Sequence, residues 1–575
     1  MARANDAVEA ALLEYADLLS IVTDDPYKAR AYEKAARAVG GYHADIEGAD
    51  LKAILQIPSV GTSIGEKVLE CLETGTISVL EELRAQVPPG VREMIAIPGL
   101  GPKKALILYR DLGIADLEGL RAAVDAGQLA EVKGFGAKTE ENIRRGIERM
   151  AQEGGRVLTS VAMDLAESFR ERLGGRKDVR RIEYAGSLRR MAETIGDLDL
   201  LVASEDPVAV MDAFTGEKIV ERVLAKGETK SSILTQQGLQ VDLRVVPADA
   251  WGAAMIYFTG SKAHNIRIRE MAVRKGLKLN EYGLFRAKTG KLIVAETEDQ
   301  VYEKLGLPWI PPTLREDRGE VEAALEGTLP DVLTEAQIRG DLHTHTKLTD
   351  GLATLEQMLE VASSHRYAYY AVTDHAPNLW MQRMTDEKML AQREELRSVQ
   401  GRYPKMTLLH GTELNIDPEG NVDWGPEFLE DFDICVASVH SHFNQSKEEM
   451  TRRIVRAMEN PFVNVIGHPT GRKINQREPY EFDLDEVFTA AARTGTALEV
   501  NGYPDRLDLK DEHVLWAQRH GVRFSVDTDS HATTHLKHMR YGVATAQRGW
   551  LTRDDVINAW PLSRLRRFLR KGRRT

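Results

Sequence analysis

The chain has only two cysteines in 575 residues, Cys71 and Cys435, far apart in sequence. That spacing excludes a disulfide framework and fits a reducing compartment, so a cytoplasmic protein is expected. No apolar run approaches the length that crosses a bilayer, and Met1-Ala-Arg-Ala-Asn-Asp6 lacks the shape of a signal peptide, so no membrane role is expected. Positive charge is not in excess. A formal net charge of −12 argues against a protein that coats polyanions indiscriminately. Nucleic-acid contacts must then come from local patches and backbone amides. The basic tail Arg564-Leu-Arg-Arg-Phe-Leu-Arg-Lys-Gly-Arg-Arg574 is one such patch, and its simpler reading is a solvated end. No long coiled-coil pattern or large apolar repeat calls for a second copy, so a monomer is expected. Histidine is nearly absent from the first 340 residues: thirteen of the 15 lie beyond them.

Many of those histidines end short apolar runs. Examples are Asp341-Leu-His343-Thr-His345, Ala371-Val-Thr-Asp374-His375, Leu408-Leu-His-Gly-Thr-Glu413 and Val436-Ala-Ser-Val-His440. Val463-Asn-Val-Ile-Gly-His468, Ala497-Leu-Glu-Val-Asn501 and Phe524-Ser-Val-Asp527-Thr-Asp529-Ser-His531 continue the series. Each run reads as a buried strand, and amphipathic stretches between them read as helices. Strand–helix repetition closes a parallel barrel whose strand C-termini meet on one face. Imidazoles and carboxylates gathered there would build a multi-metal site suited to hydrolysing phosphate esters.

The first 150 residues read as short helices joined by three related glycine turns. These are Ile57-Pro-Ser-Val-Gly61, Ile97-Pro-Gly99-Leu-Gly101 and Val132-Lys-Gly134-Phe-Gly136, each opening a helix. A glycine turn at a helix N-terminus points backbone N–H groups outward and can seat a phosphate. Three in one region imply a helix–hairpin–helix grip on DNA that positions a duplex without reading its sequence. The first turn has Ser59 where the others have glycine.

The middle of the chain carries Tyr184-Ala-Gly186-Ser187-Leu-Arg-Arg190-Met-Ala-Glu-Thr-Ile-Gly196-Asp197-Leu-Asp199. Asp197 and Asp199, two apart on a strand, point to one face. Asp242, in Gln240-Val-Asp-Leu-Arg244, lies on a further strand that could pair alongside. Three carboxylates on one sheet suit two Mg²⁺ or Mn²⁺ ions of a nucleotidyl transfer, and the Gly186-Ser187 turn suits a triphosphate.

These motifs resemble DNA polymerase β and its family X relatives. Pro26-Tyr-Lys28-Ala-Arg-Ala-Tyr32 and Val60-Gly-Thr-Ser-Ile-Gly-Glu-Lys67 resemble the family's small lyase domain. The likeness implies DNA contacts at Lys28 and Tyr32 and a Schiff-base lysine at Lys67, with Ser63 standing where the family has a phosphate-binding lysine. Tyr257-Phe258-Thr-Gly260-Ser261, Asn265 and Arg269 resemble its nucleotide pocket. By that likeness Tyr257 and Phe258 flank the incoming sugar, Asn265 meets the base edge, Ser187 and Arg190 hold phosphates, and Arg269 faces the template. Gln240 stands where the family has an arginine beside the primer end.

Residues beyond 339 resemble the PHP (polymerase and histidinol phosphatase) domain, and the order of the two halves resembles bacterial family X DNA polymerases. The resemblance implies nine barrel ligands in three groups. One holds His343, His345, Glu413 and Asp529; another Asp350, His375 and His531; the last Glu413, His440 and His468, with Glu413 bridging. Up to three ions of Zn²⁺, Mn²⁺ or Fe fit such donors.

The expected fold is multidomain α+β and α/β, with a helical region, a polymerase β-like palm and a PHP (β/α)7 barrel. Its expected divisions are 1–85 (lyase-like), 86–150 (helix–hairpin–helix), 151–245 (palm), 246–315 (nucleotide and template subdomain), 316–338 (linker) and 339–575 (barrel). The expected activity is gap filling on gapped or primer-template DNA with deoxynucleoside triphosphates. The barrel would act as a 3′→5′ exonuclease or remove 3′ phosphates, alternatives the residues leave open. Two rival readings are a small-molecule phosphoesterase and a non-catalytic DNA-end scaffold.

Overall fold

A computed structural model describes residues 4–23, 26–40, 42 and 46–87, short stretches between 91 and 147, and then 155–379 and 384–571. Among these residues no helix is long and apolar enough to cross a membrane.

The N-terminal region is helical. Helices α1 (Ala4–Val22) and α2 (Pro26–Gly40) pack together with α3 (Thr62–Thr74) on a core that includes Leu12, Tyr15, Tyr32, Val39 and Val68. Buried Asn5 ties the pair to the chain beyond: its amide donates to the Val39 carbonyl (2.9 Å) and its oxygen accepts from Ile46 N (3.1 Å). In the first glycine turn Ser59 sits at φ +63°, a left-handed conformation that costs a side chain energy and that glycine adopts freely.

The palm is a five-stranded sheet of β1 (Val179–Tyr184), β2 (Asp197–Ser204), β3 (Val220–Lys226), β4 (Lys230–Thr235) and β5 (Gln240–Val246). Its order is β1-β2-β5-β4-β3, and the central pair β2–β5 is parallel. Helix α4 (Thr159–Gly174) covers it, burying Phe169 against Phe214, while the four-residue turn of helix α5 (Gly186–Arg189) leads from β1 toward β2. Helices α6 (Trp251–Thr259) and α7 (Lys262–Arg274) follow, with a small antiparallel sheet of β6 (Leu277–Asn280), β7 (Gly283–Arg286) and β8 (Leu292–Val294).

The stretch 316–338 is partly helical, with a helix at Glu320–Glu326, but it does not hang free. Val321 and Ala324 pack into the core of the 254–316 region, and the Glu320 carboxylate meets His264 Nδ1 at 2.6 Å in full burial.

Six apolar runs beyond it form a parallel sheet in sequential order. They are β9 (Tyr369–Val372), β10 (Thr407–Asn415), β11 (Ile434–Ser438), β12 (Val465–Ile466), β13 (Ala497–Asn501) and β14 (Phe524–Asp527). The extended segment 341–346 lies between the first and the last. Its Asp341 and Thr344 carbonyls accept from Ala371 and Thr373, while His345 N donates to Ser530 on the other side. This seventh stave closes the barrel and brings every strand's C-terminal end to one mouth.

The barrel and palm share a seam. Leu507 and Tyr541 of the barrel belong to the palm's apolar core. Arg548, at the end of helix α8 (Met539–Arg548), donates to Glu316 (2.7 Å), to the Arg190 carbonyl (2.8 Å) and to Asp511 (2.9 Å). Burial would raise Glu316, but the guanidinium groups of Arg548 and Arg190 hold it below the usual carboxylate range. Its stabilising charge is therefore present at neutral pH and lost in acid. Arg548→Ala leaves two buried carboxylates short of a shared partner, a loss of about 3 kcal/mol that lowers a calorimetric unfolding midpoint by roughly 2–6 °C at pH 7. The deficit should shrink below about pH 4, where Glu316 is protonated in the unfolded chain and then in the folded one.

Candidate active sites

The parallel register of β2 and β5 sets Asp199 directly opposite Asp242 and Asp197 opposite Gln240. Asp197 and Asp199 share a face because strand side chains alternate. The three carboxylates thus converge, and their charges interact. Burial first, then Asp197 and Asp242, push Asp199 up to about 7. Burial would also raise Asp242, yet hydrogen bonds from Lys230, Gln240 and Ser232 hold it below the usual range. Lys230 Nζ lies 2.9 Å from Asp242 and Gln240 Nε2 donates to it at 2.9 Å. This cluster of mutually repelling carboxylates is the donor chemistry that divalent oxygen-seeking cations fit.

Gly186 is held against the cluster. Its φ is +57°, and a Cβ placed there would sit 2.4 Å from Asp199 Oδ2, so only glycine allows the turn to approach. Ser187 is half-buried on the same turn, and Gly196 lies just before β2, where a Cβ would come within 3.0 Å of Arg156. Arg190 donates through Nε to Glu316 (3.0 Å) and through Nη1 to the Thr259 carbonyl (2.6 Å). It therefore braces the turn against α6.

Tyr257 and Phe258 are half-buried at the end of α6, with ring centroids 4.9 Å apart. Arg269 stacks on Tyr257 at 5.0 Å and Arg244 on Phe258 at 4.8 Å. Asn265 is buried, with Nδ2 donating to the Tyr257 carbonyl at 2.7 Å and Oδ1 left without a partner. Gly260, at φ +73°, opens the turn between α6 and α7.

In the helical region Tyr32 packs edge-on against Tyr15 at 4.6 Å, and Lys67 Nζ lies over the Tyr32 ring, 5.8 Å from its centroid. That ammonium donates to the Ser63 carbonyl (3.1 Å) and hydroxyl (3.4 Å). Lys28 is exposed on α2. Gly61 precedes α3 with open space around its Cα, and the Gly136 carbonyl accepts from Thr139 and Glu140. Gly99, Gly101 and Gly134 fall outside the described residues.

At the barrel mouth eight side chains from several staves meet around Glu413. One carboxylate oxygen faces His375 (3.0 Å), His343 (3.4 Å) and His345 (3.5 Å); the other faces His468 (3.0 Å) and His440 (3.1 Å). Asp350 lies 3.3 Å from His375 and 3.4 Å from His531, and Asp529 lies 3.3 Å from His345. Three sets hold their donor atoms within 4.8 Å of one another: His345/Asp350/His375/His531, His343/His345/Asp529 and His375/Glu413/His440. His345 and His375 each serve two sets, where the expected sorting placed each in one, because neighbouring stave ends crowd into a single small cavity.

The nitrogens fit metal coordination. His343 Nε2, both ring nitrogens of His345 and His375 Nδ1 are buried without an aligned hydrogen bond, although carboxylates lie within 4 Å of each residue. Converging, misaligned lone pairs are what a shared cation satisfies. Burial pushes His468 down to about 3, which keeps it neutral, and although burial opposes it, His375, His440 and His343 hold Glu413 well below the usual range.

Three residues behind the ligands carry no signal that singles them out in the sequence. Buried Glu499 accepts from His343 Nδ1 at 2.7 Å and from the His468 amide. Asn501 donates to Asp529 at 3.1 Å, and Asn415 Oδ1 accepts from His440 Nδ1 at 2.8 Å. Each fixes a tautomer or an orientation. The strand run Ala497–Asn501 is visible in the sequence, and its alternation turns Glu499 and Asn501 toward the same side as the ligands.

The fold and these two centres define a nucleotidyltransferase core joined to a metal-binding phosphoesterase barrel. Similarity to known proteins agrees. The DNA polymerase beta thumb family matches residues 254–316 and the PHP domain family residues 341–502. A helix-hairpin-helix domain matches 3–77, and a SAM-like helix-hairpin-helix tandem matches 91–149. A protein of Bacillus subtilis (strain 168) named DNA polymerase/3'-5' exonuclease PolX is 34% identical over 552 residues, covering 96% of each chain. DNA polymerase lambda of Rattus norvegicus is 27% identical over 326 residues, 51% of this chain and 53% of that one. A probable phosphatase of Thermoanaerobacter sp. (strain X514) is 27% identical over 246 residues, 41% of this chain and 95% of that one. The chain belongs to the bacterial family X DNA polymerases that carry a C-terminal PHP domain.

Two outcomes are expected at these centres. Since Asp199 titrates near 7 without ions, a cation must displace a proton below that pH. Apparent Mg²⁺ affinity of the palm, followed by calorimetry, should then fall by about tenfold per unit as the pH drops below 7, and Asp199→Asn should bind weakly with a flat pH profile. Glu499→Gln should lower metal affinity of the barrel by roughly 10- to 100-fold in a chelator competition assay without unfolding the chain.

Proposed function

We propose that the chain fills short gaps in DNA and trims 3′ ends, using the palm for nucleotide addition and the barrel for 3′→5′ exonuclease cleavage. The observation that carries the reading is the Asp199–Asp242 pairing on parallel strands with Asp197 on the same face. A scaffold that merely held DNA ends would have no use for three carboxylates whose burial and crowding drive one of them up to about 7. A vestigial palm beside a small-molecule phosphoesterase would have none either.

At the palm, Asp197, Asp199 and Asp242 would hold two Mg²⁺ or Mn²⁺ ions, which when bound lower the charge barrier between the primer hydroxyl and the α-phosphate. Asp242, kept ionised by its hydrogen bonds, orients the primer end. Amides of the Gly186–Ser187 turn and the remaining Arg190 nitrogen receive the triphosphate. Tyr257 and Phe258, backed by guanidinium groups, form an apolar floor for the sugar, and the unpartnered Asn265 oxygen is left for the base edge.

At the barrel, up to three ions of Zn²⁺, Mn²⁺ or Fe would sit among His343, His345, Asp350, His375, Glu413, His440, His468, Asp529 and His531. Bound there, they supply a nucleophilic water and neutralise the phosphate. Glu413, with one oxygen toward His343, His345 and His375 and the other toward His440 and His468, would bridge two of the groups, and Glu499 and Asn415 hold the imidazoles in the required tautomers. The glycine turns at Gly61, Gly99, Gly101, Gly134 and Gly136, with Lys28 and Arg269, position gapped or primer-template DNA. The working protein would be a cytoplasmic monomer.

A 5′-labelled primer on a single-gap duplex with Mn²⁺ tests both halves on one gel. With nucleotide present, Asp242→Ala should lose extension by about a thousandfold while primer shortening persists. His343→Ala/His345→Ala should lose shortening and keep extension. A wild-type primer that neither grows nor shrinks would overturn the reading in favour of a small-molecule phosphoesterase.

A further inference from the structure

Helix α2 has two faces. One buries Ala29, Tyr32, Ala36 and Val39 in the core of the helical region. The other carries Arg30, Glu33 and Lys34 at i, i+3 and i+4 and faces the barrel mouth, with Arg30 and Lys34 exposed. These residues line a cavity of about 540 Å³ together with Asp350, Asp529 and His531 of the metal cluster. Leu352, two residues beyond Asp350, packs against the apolar core of the helical region and so seats that region at the barrel.

Four basic and four acidic side chains line this cavity, and two of the acids, Asp350 and Asp529, belong to the metal cluster. On the barrel side Lys473 pairs with Asp505 at 3.1 Å, and Arg506 Nε lies 3.4 Å from Asp529. Arg506 Nη1 is buried with no hydrogen-bond partner. On the helical side Arg30 and Lys34 line the cavity without a carboxylate partner among the described residues. Of the other two acids, Asp505 pairs with Lys473 and Glu33 lies on α2 itself. Cations in a recess beside a phosphoesterase centre suit an anionic ligand that runs from the metal ligands to α2.

We propose that the helical region forms one wall of the barrel's nucleic-acid site. Arg30 and Lys34 grip backbone phosphates of a single strand whose 3′ end lies at the metal cluster, opposite Lys473 and Arg506. This rests on the exonuclease reading above and adds to it a substrate class: a polynucleotide long enough to span the cavity, in preference to a free phosphomonoester. It also gives α2 a role at the barrel apart from the DNA binding implied for Lys28 and Tyr32 in the polymerase complex.

The test uses the full chain with Mn²⁺, a single-stranded oligonucleotide and a dinucleotide, whose one phosphate is the scissile one. Arg30→Ala/Lys34→Ala should raise KM for shortening the oligonucleotide by about tenfold and flatten the dependence of log KM on log salt by about 1.4, roughly 0.7 for each phosphate no longer neutralised. The ratio of oligonucleotide to dinucleotide kcat/KM should fall accordingly, and the charge-preserving Arg30→Lys/Lys34→Arg should restore it. Wild-type KM and salt slope in the alanine variant would overturn the inference, as would an equal loss on both substrates. If the wild type shortens no strand, the exonuclease reading itself fails. The wall is then judged by fluorescence anisotropy of the same oligonucleotide, where equal affinities of wild type and alanine variant would refute it and a weaker variant would uphold it.

Discussion

Burying a carboxylate costs several kcal/mol unless a cation or hydrogen bonds meet it, and this chain buries carboxylates at both centres and at the seam between them. The seam is self-sufficient. Glu316 and Asp511 each meet two arginines, Arg190 and Arg548 for the first, Arg318 and Arg548 for the second. The two centres are not. Asp199 keeps its proton to about 7, and the nitrogens of His343, His345 and His375 that face Glu413 lack aligned partners. The places where internal charge fails to close are where external cations belong.

The seam also makes the halves one structure. Arg190 lies on the turn that approaches Asp199, and its carboxylate partner, Glu316, is shared with Arg548 of the barrel. Arg548 further binds the Arg190 backbone. A polymerase turn is thus held partly by the hydrolytic domain. Leu507 and Tyr541 add apolar packing across the same boundary, so the barrel is seated against the palm rather than tethered to it.

Local pattern made much of this legible. The apolar runs ending in His343, His375, Glu413, His440, His468 and His531 announce strands with ligands at their ends, and parallel pairing sends such ends to one mouth. Asp197 and Asp199 share a face by alternation alone. Glu499, Asn415 and Asn501 stayed hidden because a residue that supports a ligand carries no spacing signature of its own. Resemblance assigns Arg190 to phosphate, but two of its donors are occupied by Glu316 and Thr259, residues 126 and 69 positions away.

By itself the sequence determined the kinds of element, the donor types and the order of the units, because alternation, glycine turns and apolar runs are properties of neighbouring residues. Tertiary structure alone decided the β2–β5 register that faces Asp199 with Asp242, the closure of the barrel by 341–346, and the docking of α2 over its mouth. Each depends on residues tens to hundreds of positions apart meeting in space. Their energies come from packing and charge pairing in three dimensions, which no local pattern records.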